Sequence, residues 1–334
     1  MLRRVRQWLV ARTTDLAVRA APHLHARAPD RLAAWLARWG PRLPFIARLI
    51  ADNMRAVGVY SPTVLRAHFA QLGAHFAGAL HALRCEPGPE FARIAADGVE
   101  LDDSLDRLRT AAAQGHGAVL MQPHITNYLL NTTPLNEAIP LTAYLRHSKD
   151  PRRHAAKEHW QRVSGVAWIS EPRTAGGALG RLARMAEAVG AGRVLVITPD
   201  LPQKREDGTP ARFFGREIYL PAGPALLAVR TGAPLFVLLA RAQGPRQRLL
   251  LHGPFADEPG GTGRDARRAA VQRRVQWFAT CLEEFLRDQP ALWYLWGDKR
   301  WTRVFRGDPR YVGARSSPKA VPRAGPMPDT QGVR

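Results

Sequence analysis

From about residue 100 to residue 290 the chain alternates short apolar runs with segments of helical length, and this alternation constrains the fold more than any other feature. Ala118–Met121, Leu141–Tyr144, Val166–Ile169, Val194–Ile197, Leu235–Leu239 and Leu249–Leu251 are runs of strand length. Between and after them, residues 104–114, 126–136, 150–163, 174–190, 221–231 and 264–288 read as helices. Parallel strands must be joined by crossovers, and the crossover helices then cover both faces of the sheet. The expected class is therefore α/β, with a mixed, mostly parallel central sheet flanked by helices. Antiparallel pairing is open near Leu235 to Leu251.

Ahead of this lies an N-terminal helical region, residues 1–85, expected to associate with a membrane. Its amphipathic runs are broken at Pro22, Pro29, Gly40-Pro41, Pro44 and Ser61-Pro62, where Ser61 is a fitting N-cap and Pro62 a fitting first helical residue. Leu65, Phe69, Leu72, Phe76, Leu80 and Leu83 recur at three- and four-residue steps, as on a buried helix face. His68, His75 and His81 beside them are expected to be partly exposed or hydrogen-bonded rather than metal ligands. At the start of the chain, Leu2, Val5, Trp8 and Leu9 fall at helical spacing among arginines. Such a helix either lies in a membrane interface or packs on the core. Its apolar stretch is too short and interrupted for a cleavable signal peptide. Residues 86–312 form the α/β domain, and 313–334, rich in proline, glycine, serine and arginine, are expected to be disordered.

The formal charge of +21 calls for an anionic partner. Arginine rather than lysine supplies it, alongside abundant alanine, glycine and proline, so part of the excess reflects composition. No nucleic-acid module with aromatics among basic residues, no zinc-finger spacing and no basic heptad occurs, so an anionic membrane or an acidic carrier protein is expected rather than nucleic acid. No run of about 18 uninterrupted apolar residues is present. The nearest, Leu220 to Ala240, contains Arg230, Pro224 and Pro234 and reads as helix, turn and buried strand. Cys85 and Cys281 form neither a disulfide framework nor a C-x-x-C pair, which suits a reducing compartment.

No Gly-x-Ser-x-Gly, Walker or dinucleotide fingerprint is found. His154, Glu158 and His159 do not form the His-Glu-x-x-His metal motif and are expected on a solvated helix face with Lys157. No metal or redox cofactor is expected. His124, by contrast, follows the run Ala118–Met121 and opens an apparent helix, a strand-to-helix corner where a general base can meet substrate. Three further blocks follow it. They are Leu141-Thr-Ala-Tyr-Leu-Arg-His-Ser-Lys149, the stretch from Val194-Leu-Val-Ile-Thr-Pro-Asp200 through Arg212-Phe-Phe-Gly215 to Pro224, and Leu292-Trp-Tyr-Leu-Trp-Gly-Asp-Lys-Arg-Trp301.

In this order the blocks resemble the late acyltransferases of lipid A biosynthesis, within the lysophospholipid acyltransferase superfamily, over roughly residues 45 to 312. The resemblance implies transfer of a fatty acyl group from an acyl carrier protein or coenzyme A thioester to a hydroxyl of a glycolipid or related lipid. It also implies a peripheral enzyme on the cytoplasmic face of the inner membrane. In that family a His-x-x-x-x-Asp/Glu motif supplies the base and the carboxylate that orients it. Carried over, His124 is the base, Asn127 and Tyr128 match the family's Asn and aromatic positions, and the carboxylate position holds Leu129.

A leucine cannot accept an imidazole N–H, so either another group orients His124 or the chain is a catalytically silent lipid-binding homologue. Asp200 is the nearest substitute, ending an apolar strand where doubly wound sheets present their sites. Its plainer reading is a turn or cap aspartate after Pro199. Glu137 lies too far along the same helix. The resemblance assigns Arg146 to a phosphate-bearing acceptor, with Lys149 beside it, and Lys204, Arg205 and Arg212 extend a basic surface. Substrate contact is thus expected from Asn127, Arg146, Lys149 and Arg212. Phe213 and Phe214 are expected to shape packing near an acyl groove. Of Trp293, Trp296 and Trp301, at least two are expected in the core.

Overall fold

Three N-terminal helices, α1 (Ala28–Trp39), α2 (Pro44–Arg55) and α3 (Pro62–Arg84), each carry proline in the first turn. There its fixed φ suits the helix and its missing N–H is not needed. Ser61 caps α3, its hydroxyl accepting the Val64 N–H at 3.1 Å. The computed structural model describes residues 16–313 apart from 17, 116, 149, 171–176, 245 and 257–262. The expected helix around Leu2 to Leu9, Lys149 and nearly all of the expected tail therefore lie outside the described residues.

The remaining elements are α4 (Pro89–Gly98), β1 (Val99–Leu101), α5 (Asp106–Ala113), β2 (Ala118–Met121), α6 (Tyr128–Ala138), β3 (Leu141–Leu145), α7 (Pro151–Ser164) and β4 (Ala167–Ser170). They continue with α8 (Gly177–Gly190), β5 (Val194–Ile197), β6 (Thr209–Phe213), β7 (Arg216–Leu220), α9 (Gly223–Thr231), β8 (Leu235–Gln243), β9 (Arg246–His252), α10 (Arg264–Asp288) and α11 (Lys299–Phe305). Seven strands form one sheet in the order β1-β9-β8-β2-β5-β3-β4. β8, β2, β5, β3 and β4 run parallel, while β9 pairs antiparallel with β8 and β1 parallel with β9. The class is the mixed, mostly parallel α/β sheet flanked by helices that the alternation implied.

β2 and β5 lie side by side at the centre, with Leu120 opposite Val196 and Met121 opposite Ile197. Every residue of both strands is buried, which is why they read as unbroken apolar runs rather than as alternating ones. Gly117 leads into β2 at φ +58°, and a Cβ there would come within 2.3 Å of the Val189 carbonyl oxygen. Only glycine fits that junction. One hydrophobic core continues from α2 and α3 through the sheet to Tyr311.

The sequence reading needs correction in several places. β1, β6 and β7 were not anticipated: β1 is three residues long, and the β6–β7 hairpin carries Pro210, Arg212, Arg216 and Glu217, so it lacks an apolar run. The helix expected at 126 begins at Tyr128, because Thr126 adopts φ +50° and breaks helical geometry. On α3 the buried face runs through Leu65, Phe69, Gly73, Ala77, Gly78 and Ala82, while Phe76 is exposed. Small residues take this face because α1 presses its backbone at Ala33 against Gly73 and the Asn127 side chain fills the space at Gly78. Of the two states expected for His68 and His75, partly exposed or hydrogen-bonded, the structure shows the second: both are buried, His68 Nδ1 lies 3.0 Å from the Ala291 carbonyl, and His75 bonds the backbone at Thr126. His154, Lys157, Glu158 and His159 are half-buried rather than solvated, with the His159 ring against the carbonyls of Ala82 and Cys85.

Candidate active site

A short irregular segment, residues 124–127, joins β2 to α6, and the Trp-rich block before α11 fixes its shape. The Thr126 N–H donates to the Leu292 carbonyl at 2.8 Å and the Tyr294 N–H to the His124 carbonyl at 2.9 Å. Between these bonds Ile125 and Trp293 form an antiparallel bridge. Thr126 can hold its positive φ because these bonds fasten it on both sides.

His124 and Asp200 extend from the C-terminal ends of neighbouring strands, β2 and β5, where open α/β sheets place ligands. The imidazole Nδ1 lies 2.6 Å from Asp200 Oδ1. Asp200 Oδ2 accepts the backbone N–H of His124 at 2.8 Å and the indole N–H of Trp293 at 3.0 Å. The Asp200 carbonyl accepts the indole N–H of Trp301 at 2.9 Å. Asp200 is fully buried, so these donors replace the water it would otherwise bind. A carboxylate accepts, so Nδ1 carries the proton and Nε2 of a neutral ring is left as the proton acceptor. The His124 side chain is 15% exposed, enough to leave an edge for substrate.

Aromatic rings frame this edge. Tyr128 meets His124 edge-on at 4.9 Å between centroids, and Tyr294 lies 6.4 Å away on another side. His75 packs behind both tyrosines, 5.1 Å from Tyr128 and 4.6 Å from Tyr294. Burial first, and the nearby His124 second, push the His75 pKa down to about 4, against a weaker opposing hydrogen bond at Thr126. Burial also raises the Tyr128 phenol well above its ordinary range. Trp293, Trp296 and Trp301 are all fully buried, and Phe213 packs on Trp293 and Trp301.

The other expected site residues fall at differing distances from this centre. Arg146 is exposed one residue beyond β3, at the same edge of the sheet as His124 and two strands away, roughly 10 Å by strand spacing. Asn127 is buried instead of open to substrate: its amide donates to the Ala74 carbonyl of α3 at 3.0 Å, and its own carbonyl accepts from Gln247. Arg212 projects from β6 on the face opposite the buried Phe213, and its backbone N–H and C=O bond the Gln276 side chain of α10. Among the described residues, the hydrogen-bond partners of His124 and Asp200 do not include Arg212. Leu129 is half-buried on the first turn of α6, and Glu137 is exposed at its far end.

The model of the bacterial lipid A biosynthesis acyltransferase family matches residues 2–303. The chain belongs to that family. No curated protein matches it. Membership makes the chain an acyltransferase of lipid A biosynthesis in general terms. In this acyltransferase, Asp200 from the neighbouring strand occupies the position against the histidine ring that Leu129 cannot serve. The sequence singled out both members of the pair, but not the indole donors that hold Asp200. Their only signal was the density of tryptophan between 293 and 301.

Proposed function

We propose that the protein transfers a fatty acyl group from the thioester of an acyl carrier protein or coenzyme A to a hydroxyl of a glycolipid, with His124 as general base. The observation that carries this reading is the 2.6 Å bond between His124 Nδ1 and a fully buried Asp200 at the C-terminal edge of the sheet. Nε2 takes the proton of the acceptor hydroxyl as its oxygen attacks the thioester carbonyl. The new C–O ester bond forms, the C–S bond breaks, and the departing sulfur receives the proton from the imidazolium to leave as a thiol. Asp200 keeps the ring in the required tautomer and stabilises it while it is charged. None of these steps draws on a cofactor.

Arg146, with Lys149 after it, is proposed to hold phosphate on the acceptor. Its exposed guanidinium stands at the same edge of the sheet as His124 and offers a planar fork to phosphate oxygens. Asn127 fastens the catalytic segment to α3 rather than touching substrate. The acceptor lipid resides in a bilayer, which supports a peripheral station on the cytoplasmic face of the inner membrane. No helix among the described residues is long and apolar enough to cross a membrane.

The silent-homologue alternative is not favoured, since its chief support was a histidine without a carboxylate and Asp200 supplies one. Purified wild type and His124→Ala are to be assayed with several acyl thioesters and a glycolipid acceptor. Transfer by wild type that disappears in the variant is the expected result. Absence of both transfer and thioester hydrolysis in wild type, with lipid binding intact, would return the reading to the silent homologue.

A further inference from the structure

Among the described residues, large apolar side chains left exposed concentrate on the N-terminal helices. Leu32, Trp35 and Trp39 form a stripe at i, i+3 and i+7 on α1, and Phe45 and Ile46 begin α2 directly after the turn that follows α1. Phe45 is 90% exposed and Trp35 48%. Burial inside the described fold does not account for them, because a different set of positions, Ala33 on α1 and Gly40 just after it, packs onto α3. Exposed large apolar side chains gathered on two successive helices mark an interaction site rather than scattered exposure.

The charges around the stripe identify what covers it. Residues 27–48 contain five arginines, at 27, 31, 38, 42 and 48, against a single acid, Asp30. The guanidinium groups of Arg38 and Arg42 lie 5.6 and 5.1 Å from the Trp39 ring. Tryptophan, phenylalanine and arginine gathered on one stretch of chain suit the boundary between acyl chains and anionic headgroups. There the rings sit in the apolar layer and the cations stay with the phosphates.

Packing also ties this surface to the catalytic edge. Gly40 against Phe69, Ala33 against Gly73 and Asp30 against His81 show that α1 and α3 run antiparallel, which sets Leu32 and the exposed Phe76 at about the same height. The Phe76 ring lies 6.4 Å from that of Tyr294, and the Tyr294 ring 6.4 Å from that of His124. We propose that the α1–α2 face docks on an anionic bilayer, and that Phe76 and Tyr294 form an apolar path from that bilayer to His124. The docking stands independently, whereas the path rests on the acyltransferase reading given above. The acceptor then reaches His124 from the membrane plane without its acyl chains crossing water.

The test uses the full chain carrying Phe45→Cys and an environment-sensitive thiol dye. Both native cysteines are buried, so the dye goes to the introduced one. A second labelled variant, Arg268→Cys on the first turns of α10, serves as control. With phosphatidylglycerol–phosphatidylethanolamine vesicles, a blue shift is expected at position 45 and none at 268, with a weaker response to phosphatidylcholine alone. Trp35→Ser combined with Phe45→Ser is expected to lower vesicle partitioning by about tenfold or more, given the apolar area withdrawn. The same variant should keep its transfer rate on acceptor dispersed in detergent micelles. An unchanged dye signal on adding vesicles overturns the proposal. So does a dye already blue-shifted without them, which would mean that the chain's own N-terminal segment or a second copy covers the face. Docking without acyl transfer in any format would instead sink the catalytic reading and leave the surface standing.

Discussion

Asp200 grips His124 at two points, Oδ1 on the ring nitrogen at 2.6 Å and Oδ2 on the backbone N–H at 2.8 Å. The first bond selects the tautomer and the second sets the height of the residue above the sheet edge. Asp200→Asn keeps the shape but can offer N–H where an acceptor is needed, favouring the wrong tautomer. Its kcat is expected to fall by about 10³- to 10⁴-fold, as for the equivalent change in serine-protease triads, with KM little altered. Steady-state kinetics on thioester and acceptor check this. A loss below tenfold would remove Asp200 from the mechanism.

Leu129→Glu restores a carboxylate to the motif position five residues after the histidine. Because Nδ1 is already bonded, the restored acid has no vacant donor on the ring. It is expected neither to raise wild-type activity by more than about twofold nor to rescue Asp200→Asn, and it adds the cost of a half-buried charge. A double-mutant cycle on kcat decides the matter. Rescue of Asp200→Asn by Leu129→Glu would show that the helix position, not β5, is the natural seat of the carboxylate.

Trp293 supplies one of the N–H groups on Asp200 Oδ2. Trp293→Phe keeps most of the ring volume and removes the donor, leaving a buried acceptor one partner short. A loss of about 1–3 kcal/mol in unfolding free energy is expected, together with a lower kcat. Denaturant unfolding and kinetics measured on one preparation check both. A variant as stable and as active as wild type would mean that the indole fills space only.

How much of this was legible in the sequence follows from where each signal comes from. β2 and β5 declared themselves exactly because they are buried on both faces, and an apolar run needs no partner to be recognised. The β6–β7 hairpin was not seen, since its residues are chosen for pairing with each other and for packing on α10 rather than for continuous burial. Asp200 was found as a candidate, but a residue 76 positions from His124 could be joined to it only by strand order, which sequence periodicity does not encode. His75 was missed for a related reason. Helical spacing shows which way a side chain points but not that two tyrosines from distant elements enclose it.

Arg146 stands at the same sheet edge, two strands from β2 and outside the His124–Asp200 pair. Arg146→Ala is expected to raise KM for a phosphorylated acceptor by about tenfold while leaving kcat within about twofold, the pattern of lost uniform binding. Arg146→Lys should recover part of the loss, since a point charge replaces the fork. Assays against a dephosphorylated acceptor supply the contrast. An equal effect on both acceptors would rule out a phosphate contact.

His68 and His75 are buried near the catalytic segment, and burial pushes each pKa from 6.5 down to about 4. The unfolded chain therefore binds protons that the folded chain refuses between pH 6.5 and 4. Stability is full above the unfolded value and falls as the pH drops through that window, by up to about 3 kcal/mol for each ring. His75→Phe retains the packing against Tyr128 and Tyr294 but cannot take up a proton. Its unfolding free energy, measured in denaturant at pH 7 and pH 4.5, is expected to decline less steeply than that of wild type, His68 and His252 keeping their share of the slope. Equal slopes in the two proteins would mean that His75 is charged in the fold, and that the space between the two tyrosines already accommodates an imidazolium beside His124.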